Sequence, residues 1–145
     1  MQGLLLKILL FCCALLLSSN VIAEDKWLAP EVIAGAETVD AAGVLDLAER
    51  YVDLVVIDSR KITDYENGHI EGAINLPDTD TSSVSLDKVL ENKRTTVVFY
   101  CNGINCKRSS IAVSIALESG FSSVFWYRKG WDEWTQLKFP IVVGK

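Results

Sequence analysis

Continuous apolar runs alternate with predicted helices along most of the chain. Residues 53–58 and 95–100 form the two longest such runs, typical of strands buried on both faces of a sheet. Shorter strands are predicted over residues 37–39, 73–76 and 123–126. Helices are predicted over residues 41–51, 86–92, 109–119 and 131–137. Strands that alternate with helices indicate an α/β fold with a mostly parallel sheet and helices on both faces.

The segments between these elements are predicted to be polar or rich in turns. Residues 65–72 read as a turn-rich connector and residues 78–85 as a polar loop. Asp40 is placed to cap the first helix, and Gly120 to end the helix over 109–119. One compact domain is therefore expected from residue 37 to 145, after an N-terminal arm over residues 24–36.

The first 23 residues have the pattern of a secretory signal peptide. A short start with one cation, Lys7, precedes an apolar run over residues 8–17, and small residues end the segment at Ala23. This pattern predicts cleavage after Ala23 and export, most simply to a periplasm. The apolar run is short for a membrane span, which needs about 20 residues, so no membrane association is expected after cleavage.

The remaining chain is acidic and contains few cysteines. The full sequence has 14 Lys and Arg against 19 Asp and Glu, a net charge of −5, and loss of Lys7 with the signal peptide makes it −6. No basic stripe is present, which argues against a nucleic-acid partner. Cys12 and Cys13 fall within the predicted signal peptide. Cys101 and Cys106 alone follow it, too few for a disulfide scaffold but close enough to pair in an oxidising compartment. With His69 they form an incomplete metal shell, so neither a metal nor a cofactor is expected.

Cys101 lies where the strand over 95–100 ends, a short loop before a helix begins near Ser109. Unpaired N–H groups at a helix N-terminus favour a thiolate, so we expect a lowered pKa and a nucleophilic role for Cys101. The cations Lys107 and Arg108 act in the same direction. The predicted anion-binding loop consists of Asn102, Gly103, Ile104, Asn105, Cys106, Lys107 and Arg108. Its N–H groups would stabilise an anionic sulfur, and Gly103 would let it curl.

Several residues near this loop have more than one interpretation. Cys106 is a disulfide partner of Cys101, a spectator, or a second sulfur acceptor. Asp58, at the end of a neighbouring strand, either anchors the loop or forms a capped turn with Arg60. His69 is either a partner of the thiol or part of a turn.

Three stretches together resemble the rhodanese-like sulfurtransferase family. They are residues 56–60 with 65–77, residues 97–101 with Arg108 and Ser109, and residues 124–127 with Gly130, Trp131 and Trp134. The resemblance implies a five-stranded, mainly parallel sheet and a structural role for His69. It also implies a persulfide on Cys101 that carries sulfane sulfur from a donor such as thiosulfate to a thiophilic acceptor, a small thiol or a thiol protein.

The loop is longer than the resemblance predicts. Six residues separate Cys101 from Arg108, whereas the family usually has four. A related phosphatase branch has five, and here that spacing reaches Lys107, which lacks the planar grip of arginine on phosphate. The expected function is therefore an exported sulfurtransferase. The alternatives are a thiol–disulfide redox or sensing protein that uses both cysteines, and a catalytically silent binding module.

Overall fold

The computed structural model describes residues 26–144, so the predicted signal peptide lies outside the described residues. The strands are β1 (Glu37–Val39), β2 (Val55–Asp58), β3 (His69–Ile70), β4 (Ile74–Asn75), β5 (Val97–Tyr100), β6 (Val124–Tyr127) and β7 (Ile141–Val142). The helices are α1 (Ala41–Arg50), α2 (Ile62–Asn67), α3 (Ser83–Val89), α4 (Arg108–Glu118) and α5 (Gly130–Gln136). None of the helices within this part of the chain is long and apolar enough to cross a membrane.

A five-stranded sheet with the order β1-β6-β5-β2-β4 organises the molecule, and every neighbouring pair in it is parallel. Strand β5 is central, and Phe99 is in register with Ile57 of β2 and Trp126 of β6. All four residues of β5 are completely buried, as its apolar composition requires. The predicted α/β fold with a five-stranded, mostly parallel sheet is confirmed.

Alternate residues of β5 face two different hydrophobic clusters. Phe99 packs in one cluster with residues of α3 and α4, whereas Val98 and Tyr100 pack in the other with residues of α1 and α5. Side chains alternate across a strand, so each face of the sheet receives its own layer of helices. Because parallel strands end at the same edge, the chain leaves β2 and β5 side by side, at Asp58 and Tyr100.

Two segments differ from the sequence prediction. The connector predicted over 65–72 contains the C-terminal part of α2 and then β3, which pairs antiparallel with β7. Helix α2 has no buried residue, so it lacks the apolar stripe by which a helix is recognised. Helix α3 begins at Ser83 rather than at residue 86, because Ser82 and Ser85 cap its first turn reciprocally.

Candidate active site

Cys101 directly follows β5, and its side chain is enclosed. The residue is 1 % exposed, and its thiol donates a hydrogen bond to the carbonyl oxygen of Cys106 at 3.3 Å. Its Sγ also lies 3.1 Å from the Oγ of Ser109, in the first turn of α4. Trp126 donates its indole N–H to the same Oγ at 3.0 Å, which leaves the hydroxyl proton of Ser109 free to point at Cys101. Sequence reasoning did not identify Ser109 as a contact of the thiol.

Cys106 is the half-buried member of a thiol pair. A turn closed by the Cys106 N–H and the Gly103 carbonyl brings it back towards Cys101, so that its carbonyl oxygen meets the Cys101 thiol and each thiol shifts the pKa of the other. Both thiols are free, without a disulfide. The N–H groups of Asn102 and Arg108 also bond to the Cys106 sulfur. The loop therefore directs its amide dipoles at Cys106.

The expected lowering of the Cys101 pKa is wrong. The hydrogen bond with Cys106 and then burial raise the pKa of Cys101, against the opposing effect of Ser109. The same hydrogen bond, helped by the N–H groups of Arg108 and Asn102, lowers the pKa of Cys106 from 9.0 to about 6. Only one of two touching thiols can readily ionise, and the more exposed one, aligned with the loop amides, takes the negative charge. At neutral pH the resting pair is a Cys101 thiol beside a Cys106 thiolate.

The predicted cations Lys107 and Arg108 lie near the two cysteines but form no hydrogen bond with Cys101 through their side chains. The Arg108 guanidinium forms an ion pair with Asp78 at 3.0 Å, and both side chains are largely buried. Lys107 occupies the N-cap position of α4 and is exposed. Asn102, Ile104 and Asn105 are also exposed, so most side chains of the loop point to solvent and away from Cys101.

Helix α5 holds the start of the loop from the other side. Trp131 donates its N–H to the Cys101 carbonyl at 2.9 Å, and Asp132 donates to the Asn102 carbonyl at 2.8 Å. Gly130 has φ +50°, and a Cβ there would lie 2.1 Å from the Cys101 carbonyl oxygen. Glycine is therefore required at position 130 for this close approach. The sequence predicts helix α5 to within one residue, but it does not predict the contact between Gly130 and Cys101.

Gly103 serves the loop through its small size. A Cβ at position 103 would lie 2.5 Å from Oδ2 of Asp132 and 3.2 Å from the carbonyl oxygen of Lys129. The residue is buried in an otherwise exposed part of the loop. The loop therefore packs against α5 at this residue.

An N-terminal arm, residues 26–36, braces the loop. The Ala29 N–H donates to the Ile104 carbonyl at 2.7 Å, and the Asn105 amide donates to the Trp27 carbonyl at 3.0 Å. Arg128 fixes the arm by donating to the Ala29 carbonyl at 2.8 Å. No sequence pattern pointed to this contact, because its partners lie far apart in the chain.

Asp58 forms the capped turn with Arg60, one of its two predicted arrangements. Its carboxylate accepts hydrogen bonds from the Arg60 backbone and guanidinium, the closest at 2.6 Å, and from the Tyr100 hydroxyl at 2.6 Å. Both charged side chains are almost fully buried. The Arg60 guanidinium also lies over the Trp131 ring, 4.4 Å from its centre. The pair thus fixes Tyr100, which directly precedes Cys101, and Trp131, whose backbone N–H donates to the Cys101 carbonyl.

His69 belongs to a turn. Its Nδ1 lies 2.9 Å from the Tyr65 carbonyl oxygen, and its ring stacks on Tyr65 with centroids 3.7 Å apart. The hydrogen bonds of the Cys101 thiol go instead to Cys106 and Ser109. Among residues 26–144, no three His, Cys, Asp or Glu side chains form a group able to hold a metal ion.

Comparison with known proteins gives consistent matches. A family model described as the rhodanese-like domain matches residues 40–137. YibN of Escherichia coli is 30 % identical over 94 residues, which cover 64 % of both chains. The tRNA uridine(34) hydroxylase of Yersinia enterocolitica is 33 % identical over 105 residues, covering 64 % of this chain and 28 % of that protein. The chain thus spans less than two thirds of the length of either relative.

A solved structure matches the fold. The structure described as rhodanese with anions from E. coli superposes with a TM-score of 0.53 and 28 % identity. The match covers 63 % of this chain and 99 % of that one.

Proposed function

Since the chain belongs to the rhodanese-like domain family, we propose that it is a sulfurtransferase that carries sulfane sulfur as a persulfide on Cys101. The observation that carries this proposal is the position of Cys101. It ends the central strand with its sulfur against Ser109 in the first turn of α4. Ser109 donates to this sulfur, and the adjacent loop amides already stabilise one sulfur anion, that of Cys106. An anionic persulfide needs the same environment.

The loading step follows from the shared proton. Cys101 passes its proton to the neighbouring Cys106 thiolate, and the resulting Cys101 thiolate attacks the outer sulfur of thiosulfate. The S–S bond of thiosulfate breaks, sulfite leaves with the electron pair, and Cys101 becomes a persulfide. A thiophile such as cyanide or a thiol then takes the outer sulfur and returns Cys101 as a thiolate.

Donor entry requires the loop to move. Cys101 is 1 % exposed, so a donor reaches its sulfur only when the segment over residues 102–107 swings outward. Lys107 is exposed at the start of α4 and offers a positive charge to an anionic donor. The rhodanese from E. coli is described with anions, which supports an anionic ligand for this chain. The hydroxylases contain a related stretch but carry out a different named reaction.

Transfer from thiosulfate to cyanide, followed as thiocyanate, tests the proposal. Cys101→Ser should abolish transfer, because a hydroxyl cannot form the persulfide. Ser114→Ala is the control: Ser114 lies on the exposed side of α4, where its hydroxyl donates to the Ser110 carbonyl, so activity should be unchanged. Thermal unfolding checks that both variants fold. Full activity in Cys101→Ser would refute the proposal.

We also propose that the protein acts after export. The apolar segment over residues 8–17 and the small residues ending at Ala23 support this location. Expression in a bacterial host followed by N-terminal sequencing of the periplasmic fraction should give a chain beginning at Glu24. Intact Met1 on protein confined to the cytosolic fraction would contradict it.

A further inference from the structure

We propose that Cys106 resolves the Cys101 persulfide, releasing the sulfane sulfur as hydrosulfide and leaving a Cys101–Cys106 disulfide. The chain would then reduce sulfane sulfur to sulfide in addition to passing it to a thiophile. This inference rests on the proposed function, because the reaction starts from the persulfide.

The turn that brings Cys106 back to the Cys101 sulfur carries the inference. The Cys101 sulfur lies 3.3 Å from the backbone carbonyl oxygen of Cys106, so the residue that carries the second thiol is in direct contact with the first sulfur. The turn from Gly103 to Cys106 holds Cys106 next to Cys101, and the two cysteines form no disulfide. An attacking thiol must reach the sulfur bonded to Cβ of Cys101, and in this arrangement it starts beside that atom.

The environment of Cys106 suits an attacking thiol. In the resting pair the pKa of Cys106 is lowered to about 6, so this thiol ionises readily, and the thiolate is the form that attacks disulfide-type bonds. The N–H groups of Asn102 and Arg108 also lie where an anionic sulfur sits, so they can stabilise the departing hydrosulfide. The Ser109 hydroxyl contacts the sulfur of Cys101 and not that of Cys106, so it remains hydrogen-bonded to Cys101 during the attack.

Atoms and electrons balance in this step. After loading, Cys101 carries a persulfide anion and Cys106 holds the transferred proton. That proton first passes from Cys106 to the outer sulfur of the persulfide. The Cys106 thiolate then attacks Sγ of Cys101, the bond between that Sγ and the outer sulfur breaks, and the outer sulfur leaves with the bonding electron pair as hydrosulfide. The two cysteines lose two electrons, and the sulfane sulfur gains them.

Completion of the cycle requires a dithiol reductant. Thiol–disulfide exchange with a dithiol, such as a thioredoxin-type protein, would restore both thiols and oxidise the dithiol. Thiosulfate and one dithiol are thereby converted to sulfite, hydrosulfide and one disulfide. The partner class expected from this chemistry is a reduced dithiol protein, for which dithiothreitol serves as the probe.

A single-turnover experiment on the full chain tests the inference. The reduced protein, freed of reductant, is mixed with thiosulfate without any thiophile, and sulfite and sulfide are measured separately. Trypsin then yields a peptide over residues 95–107, which contains Cys101 and Cys106 but neither Cys12 nor Cys13. We expect one sulfite and one sulfide per chain and a peptide lighter by two hydrogens. Dithiothreitol should restore the peptide mass and permit a second turnover.

Two readouts distinguish the two proposals. Sulfite without sulfide, with one sulfur retained on peptide 95–107, would overturn the resolving role and leave the sulfurtransferase proposal standing. Release of neither product would overturn the proposed function itself. In Cys106→Ser, the sulfide burst should disappear. Sulfide release from this variant at the wild-type rate would also overturn the resolving role.

Discussion

At the scale of single residues, the interaction between Cys101 and Cys106 sets the reactivity of both thiols. The Cys106 pKa is lowered to about 6 and that of Cys101 is raised, each chiefly through the other side chain. The thiolate fraction of Cys106 therefore rises as the pH rises through about 6 and levels off above it. Iodoacetamide should modify Cys106 with this pH profile, while Cys101 stays slow at neutral pH.

Fragmentation of the tryptic peptide over residues 95–107 measures this difference, because it assigns each alkylated position. The reaction should be stopped at low conversion, since alkylation of one thiol removes its effect on the other. Faster modification of Cys101 than of Cys106 at neutral pH would contradict the assignment of the charge.

Ser109 should be the hydroxyl on which Cys101 reactivity depends. Removing one hydrogen bond to a sulfur anion costs about 1.5–3 kcal/mol, so Ser109→Ala should slow thiosulfate-dependent sulfite release by about tenfold or more. The variant also leaves the buried Trp126 N–H without its acceptor, at a cost of about 1–3 kcal/mol in stability. Ser114→Ala makes the same change on the exposed face of α4 and should alter neither quantity. Equal sulfite rates in the two variants would contradict the role of Ser109.

At the scale of elements, the loop lies between the N-terminal ends of α4 and α5. Gly130→Ala should distort it, because the new Cβ would meet the Cys101 carbonyl at 2.1 Å in addition to the strain of φ +50°. The matched control is Gly120→Ala, at φ +86°, where the new Cβ would have no atom within 4 Å. Only the backbone strain, about 1–2 kcal/mol of unfolding free energy, applies there. We expect a larger loss of stability in Gly130→Ala, together with loss of sulfite release. Urea unfolding and activity assays of both variants measure these effects, and equal behaviour of the two would contradict the argument.

The buried ion pair joins β2 to the elements around the site. Asp58→Ala leaves the Arg60 guanidinium buried without its partner and frees the Tyr100 hydroxyl, so a loss of about 3–5 kcal/mol is expected in urea unfolding. Asp46→Ala breaks the exposed Arg50–Asp46 pair on α1 and should have no measurable effect. Similar midpoints for the two variants would contradict the importance of burial.

Sequence patterns predict the long buried elements and miss several short ones. The central strand β5 and helix α4 carry long apolar stretches that packing against the sheet demands, so the sequence predicts both to within two residues. Helix α2 has no buried residue, and β3 and β7 contain two residues each. A short element without an apolar stripe is stabilised by tertiary contacts, which a single sequence does not display.

At the scale of the whole molecule, the sequence identifies the reacting loop but not its surroundings. Cys101, Cys106 and the start of α4 follow from local spacing. The contacts from Gly130 and from the arm join parts of the chain that approach only after folding. The prediction that Cys101 carries the negative charge is wrong for a related reason. A helix N-terminus favours a thiolate nearby, but the contacts of each sulfur decide which of the two cysteines ionises.

The arm depends on Arg128, which donates to the Ala29 and Pro30 carbonyls. Arg128→Ala should release residues 29 and 30, so amide hydrogen exchange at Ala29, whose N–H bonds to the loop, should become faster. Lys129→Ala removes the neighbouring cation, which pairs with Glu133 at the surface, and should leave this exchange unchanged. Exchange followed by mass spectrometry measures both, and unaltered protection in Arg128→Ala would contradict the bracing role.

The bracing arm has a consequence for anyone who excises, grafts or recombines this domain. The family match begins at residue 40, whereas the contacts of the arm with Ile104 and Asn105 come from residues 27 and 29. A fragment cut at the family boundary would keep every reacting atom yet lose two of the hydrogen bonds that shape the loop. A chimera that borrows the loop alone would lack them as well. The segment that supports the loop is therefore longer than the segment that matches the family, and it reaches back at least to Trp27.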